Sequence, residues 1–332
     1  MIPQEKIAAV NRGIQEAFGV TAFDDISRIT KGQTNSLVFR INVEGAPYIL
    51  KIIVRAEDPT RHYTCMKAAA EAGLAPQVRY ANSEDKVSIT DFVKEVPFPI
   101  AEALVRLPGV LRTLHSLPPF AKAPFNTTST FLLDQGPALE GFLQKVQSPH
   151  ILPKAVNEQL FALYKEVAAV YPYGDAEMVS SHNDLFKPDN VLFDGQRVWL
   201  VDWEAAFLND RYVDLAVAAH QVVTNDAEER AFLEAYFGGP PDSYQLARFF
   251  LMQQLTHIFY TMGFLYLGSK AAIIDWSAPV PGFRECQRRM RAGEFDVGDP
   301  KVTIVYGRAH WEQLLQNVRQ PRYKESLRIV AA

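Results

Sequence analysis

The stretch SHNDLFKPDNVLF, Ser181 to Phe193, sets a histidine, two aspartates and two asparagines close together and runs directly into apolar residues. A few residues later WLVDWE, Trp199 to Glu204, repeats the arrangement, an apolar run ending on Asp202 and Glu204. The flanking VLF and VWLV runs read as short buried strands that carry these polar groups into an interior or a cleft. Oxygen-bearing side chains held there suit two tasks. A carboxylate within hydrogen-bond reach of an alcohol can accept its proton, a general-base effect on the order of 10² to 10⁴ in rate. An amide oxygen and a second carboxylate are hard ligands of the kind a divalent cation such as Mg2+ prefers. Far upstream, Lys51 lies in the apolar run YILKII, where its ammonium can serve as a point charge for phosphate. The turn GQTNS, Gly32 to Ser36, is an ordinary hairpin turn when taken alone; with Lys51 downstream, its backbone N–H groups are candidates for cradling phosphate.

These residues need elements to position them. ISRITKG, NSLVFRINV and APYILKIIV, between Ile26 and Val54, predict three antiparallel strands separated by turns at Lys31-Gly32 and Glu44-Gly45. Asp58-Pro59 supplies an N-cap and a proline at the first helical position, opening a helix that runs to about Glu71 and stops at Gly73. APQVRYA and KVSITDFV add two more strands before the proline-rich VPFPI, Val96 to Ile100. Beyond it the periodicity becomes helical, with candidates at 101–115, 138–147, 157–171, 214–223, 227–237, 243–267 and 308–318. The expected fold class is therefore α+β: a small antiparallel-sheet lobe over 1–95, a hinge at about 91–97, and a mostly helical lobe over 96–332.

Composition narrows the function. With Lys+Arg 34 against Asp+Glu 38, a net charge of -4 and no basic block, the electrostatic footprint of a nucleic-acid binder is missing. Cys65 and Cys286 are far apart and form no CxxC pair, which points to neither a disulfide framework nor structural zinc and fits a reduced cytoplasm. The most apolar segment, Leu246 to Gly268, contains Arg248, Gln253, Gln254 and His257, too much polarity for a lipid-facing span. It reads as a core helix.

The order of features resembles a known family. GQTNSLVFR, the lysine of YILKII, LRTLHSLP, SHNDLFKPDNVLF, VDWEAA and YVDLA together look like the aminoglycoside phosphotransferase and choline/ethanolamine kinase group, small-molecule relatives of the protein kinases. The resemblance covers roughly residues 20–240. It implies a two-lobed protein-kinase-like fold and an ATP- and Mg2+-dependent kinase acting on a small-molecule alcohol. It further implies that Asp184 is the catalytic base, that Asn190 and Asp202 hold Mg2+, that Lys51 reaches the ATP phosphates with Gly32, Gln33, Thr34, Asn35 and Ser36, and that His182 and Asp214 brace the catalytic loop.

Two departures stand out. Five residues, not the family's usual four, separate Asp184 from Asn190, so either the loop bulges and Asn190 still coordinates, or Asp189 takes the ligand position. The helix after the third strand carries Arg61, His62 and Lys67 but no carboxylate inside it, leaving Lys51 to be held by Glu71, by Glu57 or by nothing. A weakly active or non-catalytic nucleotide-binding protein is the corresponding alternative. Glu204 either touches a second metal or hydrogen-bonds the loop. For the acceptor, Tyr260, Phe264 and Trp276, with Glu204, are candidates for recognising the ammonium of a choline- or ethanolamine-like alcohol, although an aromatic-rich helix is also how a core helix looks. An aminoglycoside would instead need converging acids, and Glu228, Glu229, Glu234, Asp242 and Glu285 are scattered.

Overall fold

Strict alternation decides which face of the sheet each residue joins. In the computed structural model, which describes residues 1–29, 36–54, 58–122, 151–172 and 178–332, strands β1 (Asp25–Ile29), β2 (Ser36–Val43), β3 (Ala46–Ile53), β4 (Val78–Asn82) and β5 (Val87–Asp91) form one antiparallel sheet in the order β1-β2-β3-β5-β4. Phe39, Ile41, Leu50, Ile52, Val87 and Ile89 point to one face and are buried with Val10 and Ile14 of helix α1 (Ile7–Phe18). Gly13 lets α1 approach closely, because a Cβ there would stand 2.8 Å from the Tyr80 ring. The opposite face carries Val38, Ile49 and Lys51, with Lys51 paired in register to Val38 and Ser88. A lysine between two fully buried neighbours is thereby turned away from the core and toward the other side of the sheet.

Helix α2 (Thr60–Glu71) starts where the Asp-Pro signal put it, Asp58 accepting hydrogen bonds from the Thr60 backbone N–H at 2.9 Å and from its hydroxyl at 2.6 Å. Helix α3 (Ile100–His115) follows the proline-rich stretch. The chain then returns to this part of the molecule as an antiparallel pair, β6 (Val191–Phe193) and β7 (Val198–Leu200). Leu200 donates its N–H to Leu74 (2.7 Å) and Val96 donates to Phe193 (2.7 Å). Those bonds explain why residues 1–121 and 180–207 gather into one compact unit, and 122–179 with 208–332 into another.

The second unit is helical: α4 (Lys154–Ala168), α5 (Arg211–Val222), α6 (Asp226–Phe237), α7 (Ser243–Ser269), α8 (Phe283–Arg291), α9 (Pro300–Val318) and α10 (Pro321–Ala331). The apolar α7 is its core, as expected, packed against α9 where Gly268 and Gly307 leave no room for a Cβ (2.5 Å to Ile304 and 3.0 Å to Leu265). No helix among the described residues is long and apolar enough to cross a membrane. Helix α9 begins eight residues before the expected 308, because Asp299-Pro300 is a second cap-and-proline start. Helices α8 and α10 are additions; the arginines of FRECQRRMR mask the apolar stripe of α8. The expected helix at 138–147 lies outside the described residues.

Buried in this unit are His220, His257 and His310, packed among Phe283, Tyr306, Tyr260 and Phe264. Thr256 gives its hydroxyl proton to the Gln253 carbonyl (2.8 Å), so its oxygen accepts from His220 Nε2 (2.9 Å). His257 Nδ1 and His310 Nδ1 are 2.8 Å apart, which requires one donor and one acceptor. Burial, then the neighbouring imidazoles, hold His220 and His310 well below the usual range; burial and then Arg284 push His257 down to about 3. Groups whose folded values are lowered bind protons on unfolding below about pH 6.5, so stability is complete above that value and falls as the pH drops through it. Three such groups give a slope of up to about 4 kcal/mol per pH unit, from which proton uptake by the folded state at Asp184 and Asp210, both raised to about 6 by burial, subtracts. We expect the urea midpoint to fall between pH 6.5 and 5, and to fall more steeply in Asp184→Asn; a midpoint that rises there would contradict the neutral cluster.

Candidate active site

The two motifs meet on the charged face of the sheet. Asp202 begins the turn after β7 with a left-handed backbone (φ 66°), a conformation rare for a residue with a Cβ and found at functional turns. That kink, followed by the single 3-10 turn Trp203–Ala205, brings Glu204 back toward β3. Lys51 Nζ lies 2.8 Å from Asp202 Oδ1 and 2.8 Å from Glu204 Oε1, and Ser36 Oγ donates to the same Glu204 oxygen at 3.2 Å. The partner of Lys51 is thus neither Glu71 nor an empty position, but the two acids of VDWE. The cause is the turn geometry, which places both carboxylates around one ammonium. Helix α2, whose one acid is its last residue, Glu71, contributes Arg61 instead; its guanidinium donates to the carbonyls of Glu204 (2.9 Å) and Ala206 and so anchors the turn.

His182 is fully buried, donates from Nε2 to the Val201 carbonyl (2.9 Å) and packs on the Trp203 ring (centroids 4.8 Å). Asn183 donates to the Ala205 carbonyl (3.0 Å). Together these contacts tie the segment carrying Asp184 to the turn carrying Asp202 and Glu204. In the lengthened loop, Pro188–Asn190 forms a 3-10 turn, with Asn190 N–H donating to Lys187 (3.1 Å). The extra residue is absorbed there. Asn190 consequently still reaches Asp184, its amide nitrogen donating to the Asp184 backbone carbonyl (2.6 Å) and to Oδ2 (3.0 Å). Both partners are acceptors, so the Asn190 carbonyl oxygen is turned the other way. Asp189 is exposed and lines the same cleft.

Electrostatics differ sharply between the carboxylates. Burial raises Asp184 to about 6, with Lys187 opposing and Asp202 reinforcing the shift. Burial would raise Asp202 too, but the charge and hydrogen bond of Lys51, with Lys187 and His62, outweigh it and hold the group at about 2. One carboxylate is thus basic enough to take a proton and the other stays ionised.

A cleft of about 310 Å³ joins these residues. Its lining combines apolar side chains, Ile29, Val38, Ile49, Leu192 and Leu200, with the polar Lys51, His62, Lys187, Asp189, Asn190 and Asp202. Phe92, Val93 and Glu95, from the expected hinge, also line it. Among the residues expected at the site, Gly32, Gln33, Thr34 and Asn35, along with Glu57, lie outside the described residues. Asp214 is fully buried in the first turn of α5, in the second unit. Tyr260 and Phe264 are buried and stack on one another (centroids 5.4 Å), while the Trp276 indole donates to the Ile151 carbonyl (3.2 Å) and has Arg308 over its ring (5.5 Å). His62 and Lys187 went unassigned from sequence. The signal available for Glu204 as the lysine's partner was an α2 with no acid before its last residue, combined with a second acid two residues after Asp202.

A profile of the Phosphotransferase enzyme family matches residues 25–250, from β1 into α7. The chain belongs to that family. Solved structures agree on a mixed α+β, protein-kinase-like fold. A choline/ethanolamine kinase family protein from Mesorhizobium loti superposes with a TM-score of 0.68 at 18% identity, covering 98% of this chain and 99% of that one. The choline kinase LicA from Streptococcus pneumoniae gives 0.59 at 15% identity, over 88% and 99%. A spectinomycin phosphotransferase, solved with ADP and spectinomycin, gives 0.55 at 14% identity, over 90% and 97%. No curated protein sequence matches the chain. This phosphotransferase therefore shares its architecture with kinases of more than one acceptor class.

Proposed function

We propose that this phosphotransferase moves the γ-phosphoryl group of ATP onto a hydroxyl of a small, cationic metabolite of the choline or ethanolamine kind. The observation that supports it is the cleft itself, whose lining joins apolar side chains, against which a purine can pack, to Lys51, Asp202, Asn190 and, beside Asn190, Asp184. Asp184 is assigned the acceptor's hydroxyl proton, with Asn190 fixing the orientation of its Oδ2. Lys51 is assigned the nucleotide's phosphates, and its two carboxylates keep it extended toward them. His182 braces the loop through the Val201 carbonyl and the Trp203 ring. The donor set suits Mg2+: the ionised Asp202 and the outward-turned Asn190 oxygen would hold it, with Asp189 and Glu204 as further carboxylates within the same turns. When bound, the ion would neutralise phosphate charge.

The extent of the match to the choline/ethanolamine kinase family protein, nearly complete for both chains, favours that acceptor class. The spectinomycin phosphotransferase keeps aminoglycosides in view. A coupled ADP-release assay with Mg-ATP against choline, ethanolamine, amino alcohols, sugars and aminoglycosides, with products identified by mass spectrometry, decides between them. We expect phosphorylation of a choline- or ethanolamine-like alcohol with kcat/KM at least tenfold above any aminoglycoside, a margin of about 1.4 kcal/mol. The reverse order reassigns the acceptor; no nucleotide binding at all removes the kinase reading.

A further inference from the structure

Two rows of helix α2 meet the site, each with residues one helical turn apart. His62 and Met66 line the cleft, while Arg61 and Cys65 reach the main chain of the turn that follows β7. The Arg61 guanidinium donates from Nη2 to the Glu204 carbonyl (2.9 Å) and from Nη1 to the Ala206 carbonyl, and Cys65 Sγ lies 3.8 Å from that same Ala206 oxygen. Asn183 takes the carbonyl between them, that of Ala205, at 3.0 Å. Three consecutive carbonyls are therefore held from outside the turn. The turn needs that hold, because Asp202 at its start has a left-handed backbone (φ 66°, ψ 67°), which a residue with a Cβ keeps only where its surroundings enforce it. A carboxylate on α2 could not serve here, since carbonyl oxygens only accept. A guanidinium supplies permanently charged donors in a fixed fork that spans two acceptors, where an ammonium is a single point.

We propose that Arg61 is a positioning residue: its grip on the main chain keeps Asp202 in the left-handed conformation that turns Oδ1 toward Lys51, and thereby sets the affinity of the site for its divalent cation. The inference rests on Asp202 being a cation ligand, as in the reading above. Arg61 acts through that residue. Without the fork, the backbone of Asp202 is free to relax toward the ordinary regions, and its carboxylate leaves the position 2.8 Å from Lys51 Nζ that it now holds. Glu204, carried on the same turn and 2.8 Å from the same ammonium, moves with it. A cation must then order the turn each time it binds, and that ordering is subtracted from its affinity. Mg2+ is the ion most sensitive to such a loss, because it demands near-ideal octahedral geometry. Helix α2, which brings no acid to Lys51, in this way governs the ion site through the main chain of its neighbour.

Mn2+ titration of the full chain with ADP present, the free ion read by electron paramagnetic resonance, tests this beside calorimetric titration with ADP alone. The proteins are wild type, Arg61→Met, Arg61→Lys, Asp202→Asn and Arg61→Met/Asp202→Asn. We expect Arg61→Met to weaken Mn2+ by about tenfold while ADP without the ion binds within about twofold of wild type, and Arg61→Lys to recover only part of the loss. In the Asp202→Asn background, Arg61→Met should weaken Mn2+ no further, as a residue acting through Asp202 requires. Wild-type Mn2+ affinity in Arg61→Met, an equal loss for the ion and for ADP alone, or the same loss with and without Asp202 overturns the inference and leaves the phosphotransferase reading intact. Should Arg61→Met not fold, Arg61→Lys decides: weaker Mn2+ at an unchanged melting temperature supports the inference, and wild-type affinity overturns it. Failure of wild type to bind either Mn2+ or ADP overturns the phosphotransferase reading, and the inference with it.

Discussion

Asp184→Asn should lose turnover by about 10²- to 10⁴-fold, the range in which a general base contributes, while Mg-ATP binds with nearly the wild-type affinity. The amide is isosteric, and its carbonyl can still accept the hydrogen bond that Asn190 gives to Oδ2 at 3.0 Å. What it cannot do is accept the hydroxyl proton. Burial already makes the native carboxylate costly to keep charged, so a neutral replacement should melt no lower than wild type. The two readouts together separate lost chemistry from lost folding. Single-turnover phosphorylation with the acceptor identified by the screen measures the first, and a melting curve the second. Wild-type turnover in this variant would discard Asp184 as the base, whatever happens to the other residues.

Lys51→Met should have the second-largest effect, on both activity and stability. It withdraws one ammonium from between two carboxylates that are each only about one-quarter exposed, 26% for Asp202 and 24% for Glu204. Removing one partner of a buried ion network leaves uncompensated charge, worth 3–5 kcal/mol when burial is complete; with this exposure about 1–3 kcal/mol is expected. Nucleotide affinity and turnover should fall together, turnover by about 10²-fold or more, because a preorganised cation is lost from the phosphate end. The double variant Lys51→Met/Glu204→Gln then discriminates. Relieving the repulsion should restore much of the stability and none of the activity, and a double-mutant cycle in urea reads the coupling. If Lys51→Met is as stable as wild type, the triad of Lys51, Asp202 and Glu204 is not the arrangement in solution.

Much of this could be read along the chain because period and punctuation are local. Alternation in SLVFRINV and APYILKII placed the strands and, with them, Lys51 on the face opposite Leu50 and Ile52. Asp58-Pro59 opened α2 as expected, and the apolar VLF and VWL runs became the pair that presents the loop residues. The same logic missed α8, where four arginines in nine residues hide the apolar positions, and it started α9 late by overlooking a second Asp-Pro signal.

The type of each site residue, and hence the kind of chemistry it could do, belongs to the sequence: two carboxylates, an amide and a lysine, in an order that resembles phosphoryl-transfer enzymes. Which of them touch was settled only by the folded backbone. The partner of Lys51 depended on a left-handed Asp202 and one 3-10 turn, and the reach of Asn190 on another that takes up an extra residue. Spacing along a chain counts residues, but an ion pair across about 150 of them is set by turn angles of a few residues, and those angles follow from packing that no local pattern encodes.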